Sequence, residues 1–220
     1  MRQLAKEIKF LIQKDLTLEW RQKYALSGIL LYVCSTVMVV YMAFMEIEDI
    51  AWITVFWIIL LFASINAVAK SFLQESAGRR LYYYMLVSPQ AVILSKLVYN
   101  ICLLLVLSAL ALGAYTLMLG NPVENFDQFL LIIIMGAIAF SLCFTLIAAI
   151  TAQAKGNATL MPILSFPVII PILGLLIKLS KGALLGLEDA NYWADMGTLL
   201  AIDAILIVLS YILFPFLWQD

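Results

Sequence analysis

Long apolar runs alternate with short polar intervals along most of this 220-residue chain. Several of the runs reach or approach the ~20 residues that an α-helix needs to cross ~30 Å of hydrocarbon. The pattern predicts six membrane spans, at about 25–45, 51–69, 91–119, 126–152, 160–177 and 198–217. The third is long for one crossing, so we expect its first turns, which include Lys96, to project into the cytoplasm or to tilt.

Residues 1–23 show a different periodicity. Apolar side chains recur there at three- and four-residue spacing, and basic or amide side chains lie largely on the opposite face: Leu4, Ile8, Leu11, Ile12 and Leu16 against Lys6, Lys9, Gln13 and Lys14. This spacing predicts an amphipathic helix that lies in the headgroup layer of the membrane. A charged leader that merely orients the first span is the alternative.

Composition supports a single all-α, polytopic membrane domain over residues 1–220, because 65% of the residues are hydrophobic and only 12% are charged. An ordinary soluble domain is about 25% charged. The chain has no histidine, which removes the commonest general base, metal ligand and haem ligand. Cys34, Cys102 and Cys143 all fall within apolar spans, so we expect small buried hydrophobic residues rather than disulfides.

Lysine and arginine are distributed unequally between the two sides of the predicted membrane. Eleven of the thirteen lie in the N-terminal segment, in residues 70–96 or at Lys155, and the opposite side has only Lys178 and Lys181. The positive-inside rule therefore predicts six crossings with both termini in the cytoplasm.

Residues 70–90 form the most polar interval between two spans. Lys70, Glu75, Arg79 and Arg80 lie within eleven residues there, and three tyrosines follow them. Glu75 and Arg79 are four residues apart, so they share one face of a helix. We interpret the interval as a short cytoplasmic helix along the membrane that another protein contacts.

The fifth span contains Pro162, Pro167 and Pro171. Each proline removes a backbone donor and crowds the carbonyl four residues earlier, so the span is either a broken or mobile helix beside a translocation path, or a static kink. The interval 178–197 is too apolar for a free loop, and we expect a re-entrant or surface-lying helical segment.

Asp203 is the one acid well inside a predicted span, about six residues from its outer end. A carboxylate there costs roughly 2.5–3.5 kcal/mol on insertion scales. It is expected to contact a substrate or a partner subunit, to accept hydrogen bonds from a neighbouring helix, or to reach interfacial water.

Three stretches together resemble a known family. They are residues 14–21 (KDLTLEWR), a cytoplasmic segment with Ser71, Phe72, Glu75, Gly78, Leu86, Ser88, Pro89 and Lys96, and residues 152–155 (AQAK) followed by Pro162 and FPVIIP at 166–171. The chain is similar over nearly its whole length to the haem exporter protein B family, the permease of the cytochrome c maturation system and a type-2 ABC exporter membrane subunit. Where the family often carries Leu-Glu shortly after the glycine, this chain has Arg79 and Arg80.

The resemblance implies a non-catalytic permease in the bacterial inner membrane, with haem as candidate cargo and no cofactor bound directly. The partners it implies are an ABC ATPase, which contacts the segment with Glu75, Gly78, Arg79 and Arg80, and haem-handling maturation proteins of the membrane. Beside membrane lipid, a second copy of the chain is a further candidate partner, and no nucleic acid is expected. The mobile-helix interpretation assigns Pro162, Pro167, Pro171 and Asp203 to the translocation path.

Three alternatives remain. A type-2 exporter permease for another cargo, such as a lipid-linked saccharide or a drug, would have the same architecture. An intramembrane enzyme would need convergent catalytic groups, and the spans contain only Asp203 with scattered hydroxyls and thiols. A secondary transporter would be expected to show several intramembrane polar residues or an inverted repeat.

Overall fold

The structure is a computed structural model, which describes residues 2–21, 23–44, 47–73, 87–153, 160–186 and 191–217. Within these ranges all regular secondary structure is α-helical. The helices there are α1 (Arg2–Arg21), α2 (Lys23–Ala43), α3 (Asp49–Leu73), α4 (Pro89–Leu119), α5 (Phe126–Gln153), α6 (Leu160–Leu184) and α7 (Tyr192–Leu217). The all-α prediction is confirmed for these residues.

Five of the described helices, α3 to α7, are long and apolar enough to cross a membrane. Helix α2 has 21 residues, but its apolar part, Ser27–Ala43, is shorter than the other spans. The structure therefore supports a multi-pass helical membrane protein, and the first predicted span, which corresponds to α2, stays a prediction.

Helix α5 lies at the centre of the bundle and packs against α3, α4, α6 and α7. In the most apolar stretch of α5, 72% of the residues are buried inside the protein. In the corresponding stretches of α6 and α7 the buried share is 28%. Small residues such as Gly136, Ala137 and Ala139 are buried on it and let neighbouring backbones approach closely. Helix α5 is therefore the central helix of the described bundle.

Aromatic rings fill much of the space between α3, α4 and α5. Trp52 and Phe56 of α3 contact Tyr115 of α4 and Phe129 of α5, with ring centroids 4.8–5.9 Å apart. The polar atoms of these rings are satisfied, because Trp52 Nε1 donates to the Gly120 carbonyl at 3.2 Å and the Tyr115 hydroxyl donates to the Trp52 carbonyl at 3.1 Å. Gly120 has a φ of 76° and ends α4 at the predicted turn.

A further aromatic residue of α3, Trp57, contacts both α5 and α6. Its Nε1 donates to Ser180 Oγ at 2.9 Å, and its ring packs edge-on against Phe140. A Cβ placed on Gly136 would lie 2.5 Å from this ring, so α5 can approach α3 there only because residue 136 has no side chain.

The separate segment that we expected between 178 and 197 is not present in the described part of this interval. Lys178–Leu184 continue α6, and Tyr192–Gly197 are the first turns of α7. Helix α6 ends at Leu184, two residues before Gly186, which has a φ of 61°. Residues 187–190 of the expected segment lie outside the described residues.

The cysteine prediction is correct for Cys143, which is buried, and wrong for Cys34 and Cys102, which are exposed at the protein surface. All three are free thiols. An apolar position on a membrane helix can face lipid as well as protein, so membership of a span did not by itself imply burial within the bundle.

Candidate functional site

The most polar buried contact of the described protein joins α1 to the ends of α3 and α4. Lys96 Nζ lies 3.1 Å from Asp15 Oδ2 and donates a hydrogen bond to the Ser71 carbonyl at 3.0 Å. The side chains of Asp15 and Lys96 are only 7% and 4% exposed. One ammonium group therefore holds three helices together.

A second contact lies at the other end of α1. Glu7 Oε2 accepts hydrogen bonds from the Ser88 hydroxyl at 2.9 Å and from the Ser88 backbone N–H at 3.3 Å. Ser88 is the N-cap of α4 and its hydroxyl makes no capping bond, so the Glu7 carboxylate takes the place of a cap at the positive end of the helix dipole.

Both contacts join residues that are 81 positions apart in the chain. Helix α1 and the first turns of α4 therefore run side by side in the same direction, and the two contacts are about 12 Å apart along α1. We call Glu7, Asp15, Ser71, Ser88 and Lys96 the α1 junction. The predicted cytoplasmic helix at 70–90 is wrong at its two ends, because residues 70–73 continue α3 and Pro89 begins α4. Residues 74–86, the rest of that predicted helix, lie outside the described residues, between Ser71 and Ser88 of the α1 junction.

The sequence explains why α1 packs in this way. Ile8 and Leu11 turn toward the bundle, and Asp15 follows Leu11 by four residues, so it lies on the same face. Phe10 and Leu16 remain 72% and 53% exposed. Helix α1 thus has one side that packs on α4 and another that leaves apolar side chains uncovered.

Lys96 lies in the first turns of α4, which we expected to project into the cytoplasm or to tilt, and that expectation stays a prediction. The side chain is buried because Asp15 of α1 supplies an opposite charge and Ser71 supplies an acceptor. Helix α4 has 31 residues and is about 46 Å long, so it exceeds the ~30 Å hydrocarbon core by several turns. Helix α1 lies beside the first turns of α4.

The predicted ATPase-contact residues, Glu75, Gly78, Arg79 and Arg80, lie outside the described residues. The structure shows only the ends from which they continue, Leu73 of α3 and Val87 before α4. Their assignment stays a prediction.

Helix α6 is continuous across its prolines. Pro162 lies in the first turn, where the missing N–H removes no helical hydrogen bond, and Pro167 and Pro171 lie inside the helix. Both inner prolines are on the exposed side of the bundle. The broken form that we considered is therefore not present, whereas a mobile helix stays a prediction.

Asp203 lies eleven residues after the start of α7, roughly 16 Å along the helix. It is 5% exposed, and neither carboxylate oxygen has a hydrogen-bond partner within the described residues. A further polar pair, missed from the sequence, joins Asn100 Nδ2 of α4 to Thr145 Oγ1 of α5 at 2.9 Å. No hydrogen bond between described residues joins Asp203 to the α1 junction.

The residue types present give no sign of a resident metal centre in the part of the chain that the structure describes. No group of three or more cysteine, aspartate or glutamate side chains is clustered there. What the α1 junction can do is mechanical, since the buried Lys96–Asp15 pair and the Lys96–Ser71 hydrogen bond connect α1 with the end of α3 and the start of α4.

Comparison with known proteins gives one match. A family model described as CcmB protein matches residues 6–217 of the chain. No curated protein and no solved structure matches it.

Proposed function

The chain belongs to the CcmB protein family, and from this premise we propose that it is the permease subunit of an ABC transporter complex that supports haem export or delivery for c-type cytochrome biogenesis. The observation that carries the proposal is the family match over residues 6–217, which includes α1 from residue 6 onward, every described span and residues 74–86. We place the protein in the bacterial inner membrane with both termini in the cytoplasm, as the positive-inside rule indicates.

ATP hydrolysis belongs to a separate subunit in this proposal. The sequence contains no phosphate-binding loop of the GxxxxGK[ST] type, with which such a subunit would hold the nucleotide. We propose that the ATPase docks against residues 74–86 and that Glu75, Gly78, Arg79 and Arg80 form the contact.

The α1 junction supplies a route by which ATPase movement reaches the membrane. A push on residues 74–86 acts on the C-terminal end of α3 and the N-terminal end of α4, and Lys96 ties both ends to Asp15 of α1. Separating this pair would leave buried charges without partners, which is costly. We therefore propose that α1, the end of α3 and the start of α4 move as one body.

The path of the cargo is proposed to lie on the outer face of α6. Aromatic rings fill the space between α3, α4 and α5, whereas Pro167 and Pro171 are exposed at the surface of the bundle. A proline inside a membrane helix frees a carbonyl that needs a protein or water partner. A second membrane subunit, either another copy or a haem-handling protein, would supply that partner and close the path.

The test is haem staining of membrane c-type cytochromes in a strain that lacks this protein. We expect all covalently bound haem to be lost, and the wild-type chain to restore it. Haem that is bound without a covalent link, in b-type cytochromes, is the control and should remain at its normal level.

Normal c-type staining in the deletion strain would overturn the haem assignment and favour an exporter permease for another cargo. A parallel loss of b-type cytochromes would also contradict the proposal, because it would indicate a defect in haem supply rather than in maturation.

A further inference from the structure

Asp203 is a buried acid near the middle of α7, about 16 Å from the start of the helix and about 21 Å from its end. It is only 5% exposed. Neither carboxyl oxygen has a hydrogen-bond partner among the described residues. The group therefore lacks the hydrogen bonds that normally accompany a buried carboxylate, at a depth where lipid supplies no water.

The packed face of α7 supplies no donor to this carboxyl group. Leu199 and Leu206, one turn before and one turn after Asp203, are buried and apolar. Ser210 lies on the same side, but its hydroxyl donates to the Leu206 carbonyl at 2.7 Å. The hydroxyl of Ser210 is therefore used within α7 itself.

The lysines of the helices that pack against α7 are engaged elsewhere or lie at helix ends. These helices are α4, α5 and α6, and α5 contains no lysine or arginine. Lys96 of α4 is paired with an acid of α1, and Lys178 of α6 lies 2.6 Å from the acid in the first turn of α7. Lys181 is in the last turn of α6. None of the three is placed to compensate a charge at Asp203.

The segments outside the described ranges contain three further cations, Arg79, Arg80 and Lys155. They adjoin helix ends on the side of Leu217, because successive spans cross in opposite directions, and Asp203 is about 21 Å from that end of α7. On the other side, residues 45–46 and 187–190 include no lysine or arginine. By position in the chain, these segments are not expected to supply a counter-charge either.

The remaining titratable groups of the packed helices also provide no positive charge. Within the spans they are phenols and thiols, which are neutral at neutral pH: Tyr99, Cys102 and Tyr115 of α4, Cys143 of α5 and Tyr211 of α7. Asp127 and Asp195 lie in the first turns of α5 and α7. Their negative charges can only oppose a negative charge at Asp203.

An ionised carboxylate in this position would be uncompensated, and a buried carboxyl group without a partner takes up a proton instead. We propose that Asp203 is a proton-binding site, which is a neutral carboxylic acid at neutral pH in the packed bundle. The proton comes from water and forms an O–H bond with one carboxylate oxygen, so no other reactant is needed. This inference does not depend on which cargo the transporter carries.

The site lies where a small movement of α7 could reach it. Leu200 and Ile207, three residues before and four residues after Asp203, are 50% and 42% exposed, so Asp203 is at the edge of the packed face. An aspartate in water is ionised above about pH 4. A movement that brings Asp203 to water therefore releases one proton, and repacking of α7 takes one up.

The experiment is infrared spectroscopy of the full chain in liposomes at neutral pH. A protonated carboxyl group has a C=O stretching band that an ionised carboxylate lacks. We expect this band in the wild type and its loss in Asp203→Asn. Asp203→Glu retains the acid and should keep the band at a shifted frequency, so it provides a second test if Asp203→Asn does not fold.

Matched controls come from two other aspartates. Asp127→Asn removes an exposed acid from the first turn of α5, and Asp195→Asn removes the acid that pairs with Lys178. Neither variant should change the band, because an exposed or ion-paired aspartate is ionised at neutral pH.

Two results would overturn the proposal. Absence of the band from the wild type at neutral pH would show that Asp203 is ionised in the packed bundle. A band of equal intensity and frequency in the wild type, Asp203→Asn and Asp203→Glu would assign the proton to another carboxyl group.

Discussion

The ion pair between Asp15 and Lys96 can be tested by a double-mutant cycle. The single variants are Asp15→Leu and Lys96→Met, and the double variant combines them. Both side chains are at least nine-tenths buried, so each single change leaves an opposite charge inside the protein without its main counter-charge. The double change replaces the pair by two apolar side chains between packed helices.

The expected free-energy changes follow from the neighbours of each charge. Breaking a buried pair by removing one partner costs about 3–5 kcal/mol. Asp15 Oδ1 also lies 3.1 Å from Lys14, which is 25% exposed, so Lys96→Met should fall at the ~3 kcal/mol end of that range. Asp15→Leu should cost about 3–5 kcal/mol, because it removes the carboxylate that lies 3.1 Å from a buried ammonium group.

The double variant should be close to the wild type. Replacing a buried ion pair by well-packed apolar residues is often neutral or stabilising by about 1–4 kcal/mol. The two single effects should therefore fail to add, with a coupling energy of at least ~3 kcal/mol, whereas independent sites add within ~0.5 kcal/mol.

The assay is an SDS titration of the detergent-solubilised protein, followed by the fluorescence of the buried Trp52 and Trp57. Lys9→Met is the control, because it removes an exposed lysine from α1 and should change the free energy of unfolding by less than ~0.5 kcal/mol. Single variants that each cost under ~1 kcal/mol, or a double variant equal to their sum, would refute a coupled buried pair and with it the proposed rigid tie.

Three further predictions concern the bundle. Gly136→Ala should lower the free energy of unfolding by about 1–3 kcal/mol, because the new methyl group meets an indole ring, and Gly174→Ala, measured by the same titration, should be neutral or slightly stabilising. Asp203→Asn should stabilise the protein by about 1 kcal/mol, because it removes a buried acid that has no described partner; a clear loss of stability would contradict this. Replacing Pro167 and Pro171 together by Ala should lower covalent haem on c-type cytochromes while immunoblots show unchanged protein in the membrane, and normal haem levels would favour a static kink.

Most of the helices could be predicted from the sequence, because hydrocarbon thickness fixes how many apolar residues a span needs. Hydropathy did not predict that the helix includes Lys178–Leu184. Polar and small residues there suggested that the span had ended, although the helix continues until Gly186 adopts a left-handed conformation. Hydropathy measures whether a residue tolerates lipid, whereas helix ends depend on backbone conformation, so the two boundaries need not coincide.

Burial could not be predicted in the same way. Cys102 and Asn100 lie two residues apart in α4, yet the cysteine is exposed and the asparagine is fully buried against Thr145. Inside a membrane, both lipid and protein surroundings are apolar, so an apolar residue does not report which one it faces. A polar residue does, because it needs a partner that lipid cannot supply.

That reasoning identifies the signal by which the α1 junction could have been found. Asp15 lies on the apolar face of an amphipathic helix, four residues after Leu11, and Lys96 lies in the first turns of a long apolar span. Each charged residue lies where its helix is otherwise apolar, and the two charges have opposite signs. The cost of burying either charge alone falls sharply when the two meet, so α1 packs on α4 where Asp15 reaches Lys96. The position of α1 against the bundle is thus set by the two charges that the hydrophobic pattern leaves unexplained.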